Sequence, residues 1–186
     1  MLKMLIFSAA AGAALLVALP AAAQSVTVLG GGMARQCSDA ALKGESDRRF
    51  EAVCTAALQT EVLAHRDRAG TFVNRGVLRL RRLEFNAARG DFDDAVQLQP
   101  DLPEAYANRG AALGGLGRYA EGLADINRAL QLGVSEPEKA YFNRALANEG
   151  LDDLKQAYFD YRKAAELSPG WEAPRKELAR FTVQAR

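Results

Sequence analysis

The chain has little of what site chemistry usually draws on. It holds one histidine, two cysteines, one tryptophan and three methionines in 186 residues. His65 has no cysteine or histidine at ligand spacing, so the sequence predicts no metal site and no cofactor. There is no G-x-S-x-G elbow, no phosphate-binding loop, no H-E-x-x-H helix and no candidate catalytic cysteine, which argues against an enzyme. Gly114-Gly115-Leu116-Gly117 looks glycine-rich but closes a helix before a turn. Net charge is also missing, with 24 basic against 23 acidic residues, and that gives no reason to expect nucleic acid or an anionic membrane as partner.

Only one stretch is strongly apolar. Lys3 precedes the apolar run Leu5 to Leu19, Pro20 breaks it, and Ala21-Ala22-Ala23 supplies small residues before Gln24. About fifteen apolar residues fall short of the roughly 20 that span a bilayer. The pattern predicts a secretory signal over residues 1–23, cleaved after Ala23, for a periplasmic or secreted protein with no stable membrane insertion after cleavage. Removing it takes away Lys3 as the only charge and leaves 163 residues, enough for one domain with a core. In an exported chain, Cys37 and Cys54 predict a disulfide closing a loop worth roughly 3 kcal/mol. Two free thiols or a redox pair are the alternatives, and C-x-x-C is absent.

What the chain does have is a period. Asn74-Arg75-Gly76, Asn108-Arg109-Gly110 and Asn143-Arg144-Ala145 lie 34 and then 35 residues apart. Asp91, Asp125 and Asp160 each follow their arginine by sixteen residues. Ala95 and Leu98, Ala129 and Leu132, and Ala164 and Leu167 continue the register. A fixed period of this length means a solenoid whose units bury their apolar faces by stacking.

The repeat resembles the tetratricopeptide repeat, a 34-residue helix-turn-helix unit, over roughly residues 69–171. Tyr106, Gly110, Leu113, Tyr119, Gly122, Ile126, Ala129 and Leu132 carry the resemblance in the second copy. Leu83 departs from it, standing where the family has glycine at the first turn. The resemblance implies an all-α fold, a right-handed α-solenoid of helix-turn-helix repeats. The expected order after the signal begins with a flexible linker over 24–35, containing Gly30-Gly31-Gly32, and an N-terminal capping hairpin over 36–68. Repeats at 69–102, 103–137 and 138–171 follow, and a capping helix over 172–186 with its last turn near residue 184. Ser46 is a candidate N-cap, Asp101-x-x-Glu104 and Ser135-x-x-Glu138 have capping-box spacing, and the acidic pairs Asp93-Asp94 and Asp152-Asp153 suit helix starts.

Two sets of recurring polar residues compete for function. Arg75–Asp91, Arg109–Asp125 and Arg144–Asp160 are in phase on the two helices of each unit, as ion pairs within a repeat would be; ligand contact by the arginines is the alternative. Asn74, Asn108 and Asn143 stand where, in the family, asparagine on the groove-lining helix often binds the main chain of an extended peptide. A carboxamide both donates and accepts, so it can pair with a peptide unit of any sequence. Hydrogen bonds between helices are the other use. Val77, Ala111 and Leu146 lie one turn along the same helices. Lys139 matches one basic position of family members that clamp a C-terminal carboxylate, whereas Gly70 stands at the other. The expectation is a non-enzymatic adaptor binding a protein or peptide segment in its concave groove. The alternative is a structural module of an envelope complex, contacting partners by its convex face or ends.

Overall fold

The computed structural model describes residues 4–8, 22–28 and 32–185. It is an all-α solenoid of paired helices. α1 (Gly32–Leu42) and α2 (Arg48–Thr60) form the first hairpin, and α3 (His65–Arg81) and α4 (Phe85–Leu98) the second. α5 (Pro103–Gly115) and α6 (Tyr119–Leu132) form the third, α7 (Pro137–Gly150) and α8 (Leu154–Leu167) the fourth, and α9 (Glu172–Leu178) packs on α8. Within each hairpin the two helices approach where side chains are small. A Cβ on Gly110 would lie 2.6 Å from Ile126 Cγ1 and 2.8 Å from the Gly122 carbonyl oxygen, so only glycine permits that crossing. The 35-residue step between the last two copies is absorbed at Gly133, whose φ of 80° ends α6 in the left-handed conformation.

The first hairpin buries mainly alanine and cysteine where the later ones bury larger apolar side chains, and it is tied by other means. Cys37 and Cys54, both fully buried, join α1 to α2 with an S–S distance of 2.07 Å. The Glu61 carboxylate accepts from the Met33 and Ala34 N–H groups, satisfying free donors at the start of α1.

Several local expectations are corrected. Asp47, not Ser46, caps α2 by accepting from Arg49 N–H. The two capping boxes do not form: Leu102 and Glu136 hold the cap positions of α5 and α7 without side-chain bonds, since Pro103 and Pro137 start those helices. Asp153 caps α8, but Asp93 and Asp94 lie inside α4, where Asp93 instead pairs with Arg109 of the next hairpin. α1 begins at Gly32 and α3 at His65, earlier than the linker and repeat boundaries placed them. The final helix stops at Leu178, and Phe181–Ala185 is a strand (β2) pairing antiparallel with Met4–Ser8 (β1). The aromatic and β-branched run Phe181-Thr182-Val183 explains the switch. Of the segment expected as a signal, residues 9–21 and most of the apolar run lie outside the described residues.

Candidate functional site

The first helices α1, α3, α5 and α7 stand side by side, and each presents one polar side chain at the same level of its hairpin. Asn74, Asn108 and Asn143 are all but fully buried. Their carboxamides do not bond helix to helix. They grip the main chain of the protein's own segment Ala22–Val28, which runs extended along the groove. Asn143 Oδ1 accepts from Ala22 N–H at 3.1 Å, and its Nδ2 donates to the Ala22 carbonyl at 3.0 Å. Asn108 makes the same pair with Gln24 at 2.8 and 2.6 Å. Asn74 makes it with Val26 at 2.8 and 2.7 Å.

Successive asparagines therefore hold every second residue, because an extended chain turns the same side to the groove with a period of two. A fourth rung continues the ladder where the sequence reading placed none. Ser38 Oγ on α1 donates to the Val26 carbonyl at 2.9 Å and accepts from Val28 N–H at 3.3 Å. Ser38 precedes Asn74 by 36 residues, close to the repeat period, and that spacing was the signal that could have found it. The first part of the expected flexible linker is thus held main chain to side chain, since the asparagines supply the partners that water would otherwise supply.

The segment's side chains are also seated. Ala22 packs against the cluster of Phe142 and Tyr161 at the C-terminal end of the solenoid, and Ala23 and Val26 pack against the central core. Val28 sits with Ala34 and Ala57 in the first hairpin. Gln24 is wholly buried, its Nε2 donating to the Glu136 carbonyl at 3.2 Å. Gly70 makes room at the other end: a Cβ there would meet Val26 Cγ1 at 3.0 Å and Val28 Cγ2 at 3.3 Å.

The other sequence-proposed residues fall in different places. Lys139 reaches the Ala23 carbonyl at 3.4 Å, but Glu136 neutralises it at 2.6 Å. With Gly70 spent on two valines, the pair of basic positions that would hold a terminal carboxylate is not assembled. Leu146 packs partly buried in the C-terminal cluster. Val77 and Ala111 are core residues, buried rather than open on a groove wall.

The structure brings all three arginine–aspartate pairs together. Arg109 Nε and Nη2 reach the two oxygens of Asp125 at 2.7 and 2.8 Å, and Arg144 engages Asp160 the same way at 2.9 and 2.6 Å. Arg75 binds Asp91 at 2.7 Å, with Arg79 adding a second contact at 3.0 Å. The remaining guanidinium nitrogen reaches back to the preceding hairpin: Arg75 to Thr55, Arg109 to Asp93, Arg144 to Asn127. The same groups lie over the rings of Phe72, Tyr106 and Tyr141. These arginines are committed to joining neighbouring hairpins, not to the groove. The hydrogen bonds to Asp125 and Asp160 hold the Arg109 and Arg144 guanidinium groups above their ordinary range. Burial pushes the Asp91 carboxyl up, against the pull of Arg75 and Arg79. Burial, with Glu149 beside it, also pushes up the Tyr161 hydroxyl, which stays a donor to that carboxylate at 2.5 Å.

Residues 103–132 and 138–170 match the tetratricopeptide repeat family. The Hsp70-Hsp90 organizing protein of Triticum aestivum is 36% identical over 97 residues, covering 51% of this chain and 16% of that protein. Heat shock protein STI1 of Saccharomyces cerevisiae is 31% identical over 106 residues, covering 52% of this chain and 18% of its own length. The chain thus spans less than a fifth of these relatives. The first tetratricopeptide domain of Spaghetti (RPAP3), solved bound to the HSP90 peptide SRMEEVD, is 25% identical with a TM-score of 0.57, over 61% of this chain and 90% of that one. MamA from Desulfovibrio magneticus RS-1, 18% identical with a TM-score of 0.60 over 80% of this chain and 82% of its own, shares the fold. Residues 103–132 and 138–170 are thus tetratricopeptide repeats, and the chain's fold is that of solved tetratricopeptide domains.

Proposed function

We propose that this is a non-enzymatic periplasmic adaptor that binds an extended protein or peptide segment in the concave groove of its repeats. The observation that carries the proposal is the ladder itself. Asn74, Asn108 and Asn143 each engage both polar groups of an alternate residue of extended chain, six hydrogen bonds along one strand. That geometry serves any extended backbone, because none of the six bonds involves a ligand side chain. The peptide-bound Spaghetti structure supports a peptide as the kind of ligand, and the short overlap with the longer relatives leaves their own partners aside.

Export rests on the residues 1–23 pattern. Cleavage after Ala23 leaves Gln24 to Val28 on Asn108, Asn74 and Ser38 and frees Asn143, while β2 loses its partner strand. A free rung beside the hydrophobic residues Phe142 and Leu146 is where an incoming segment would start. In the oxidising periplasm the Cys37–Cys54 bridge persists.

The second reading, a structural module that uses its convex face or ends, is favoured by the groove being filled by the chain itself. A photo-crosslinking side chain placed at Lys139, or at the exposed Arg128 on α6, separates the two in exporting cells. The adaptor reading expects a defined adduct from position 139 that Asn108→Ala weakens. Adducts from position 128 alone would defeat it.

A further inference from the structure

The main-chain bonds are indifferent to sequence, yet the sockets between them are not. The small side chain of Ala22 packs, half-buried, against the C-terminal cluster that contains Phe142. The next alternate socket encloses Gln24 completely and offers its Nε2 a backbone carbonyl, Glu136 O, while its Oε1 has no partner among the described residues. A glutamate there would bring a buried charge with no donor for that carbonyl, which is costly. The third and fourth sockets are shaped by the missing side chain of Gly70, against which the branched Val26 and Val28 pack. Between these positions Thr27 faces solvent, while Ser25 is half-buried and Ala23 packs against the central core. Direction is set as well: Ser38 bonds Val26 and Val28, and the Gln24 socket sits at the far side of Asn74.

We propose that the groove selects a partner by alternate side chains, taking an extended segment with a small residue, a glutamine and two β-branched residues in that order. In the uncleaved chain Ala22–Val28 is the resident copy of that pattern; cleavage after Ala23 leaves its last three positions, Gln24, Val26 and Val28, in place, and the partner enters by displacing them. This rests on the groove-binding function proposed above. Being tethered, the resident copy competes at an effective concentration on the order of millimolar, so the unmodified chain takes up a free peptide weakly.

The test uses a fluorescent peptide copying residues 22–28, Ala-Ala-Gln-Ser-Val-Thr-Val, followed by anisotropy against the full chain. Val26→Pro removes the N–H that Asn74 accepts and so loosens the resident copy. Gln24→Ala empties the central socket and leaves the backbone bonds available. Both variants should bind the peptide more tightly than the unmodified chain, by about tenfold for Val26→Pro. Changing the peptide's glutamine to glutamate should lose about tenfold, and Gly70→Leu in the chain, which fills the valine socket, should abolish the gain. Equal affinity for the glutamine, glutamate and shuffled peptides overturns the selectivity while leaving backbone binding standing. If neither opened variant binds any peptide while melting like the unmodified chain, both readings fall. Should Val26→Pro fail to fold, Gln24→Ala decides alone.

Discussion

Replacing Asn108 by alanine takes away the central rung. The Asn108 carboxamide is wholly buried and makes two short bonds to Gln24, at 2.8 and 2.6 Å. Each is worth about 0.5–1.5 kcal/mol net, so the two together contribute about 1–3 kcal/mol. That lowers the docking constant of the segment roughly 5- to 150-fold, since 1.4 kcal/mol is a factor of ten. The loss falls on the segment rather than on the hairpins, because the helices α5 and α6 are held by Ile126, Ala129 and the Arg109–Asp125 pair, whereas the Asn108 carboxamide bonds to Gln24. Amide hydrogen exchange reads both at once. The amides of Gln24, Val26 and Val28 should lose protection by the calculated factor, while those in the middle of α5 and α6 change by no more than a few-fold. If protection falls equally in segment and hairpins, Asn108 is part of the scaffold. If it falls in neither, the ladder does not hold the segment.

Other perturbations separate the remaining forces. Asp125→Ala should cost about 1–3 kcal/mol in denaturant melts, and adding Arg109→Ala should cost less than the two single losses summed, because the residues bond directly; strict additivity would mean that they are uncoupled. Leu83 holds a φ of 61° at the turn where the next repeat has Gly117 at 73°, so Leu83→Gly should stabilise by about 0.5–1 kcal/mol, and a lower melting temperature would show that no strain is stored there. Native protein taken from the periplasm should show no thiol label at Cys37 or Cys54, and quantitative labelling of both would remove the bridge from the account. Arg128→Ala, on the exposed side of α6, should leave peptide binding within about twofold.

The repeats were legible because one physical requirement recurs at a fixed spacing. Glycine or alanine at 76, 110 and 145 marks each helix crossing, and the arginine sixteen residues before its aspartate marks each ion pair. The asparagines were legible as a set for the same reason. Their occupant was not, because Gly30-Gly31-Gly32 suggested slack chain and drew attention from the alternation just before it. Gln24, Val26 and Val28 alternate with Ser25 and Thr27, a strand pattern that means little until three side chains on α1, α3 and α5 supply its hydrogen bonds. Ser38 was hidden because the capping hairpin replaces the asparagine by serine. At the chain's other end, helical spacing of Leu178 and Phe181 suggested a longer helix than the β-branched residues after it permit.

The central claim is that Asn108 binds a backbone N–H, and a backbone ester tests it directly. In a peptide copying residues 22–28, an ester between its second and third residues replaces the N–H that Asn108 accepts with an oxygen. Isothermal titration into the Val26→Pro chain, with and without Asn108→Ala, completes a double-mutant cycle. The ester should cost about three- to tenfold in affinity when Asn108 is present and nothing further when it is absent. An equal ester penalty in both chains, or none in either, would contradict the account.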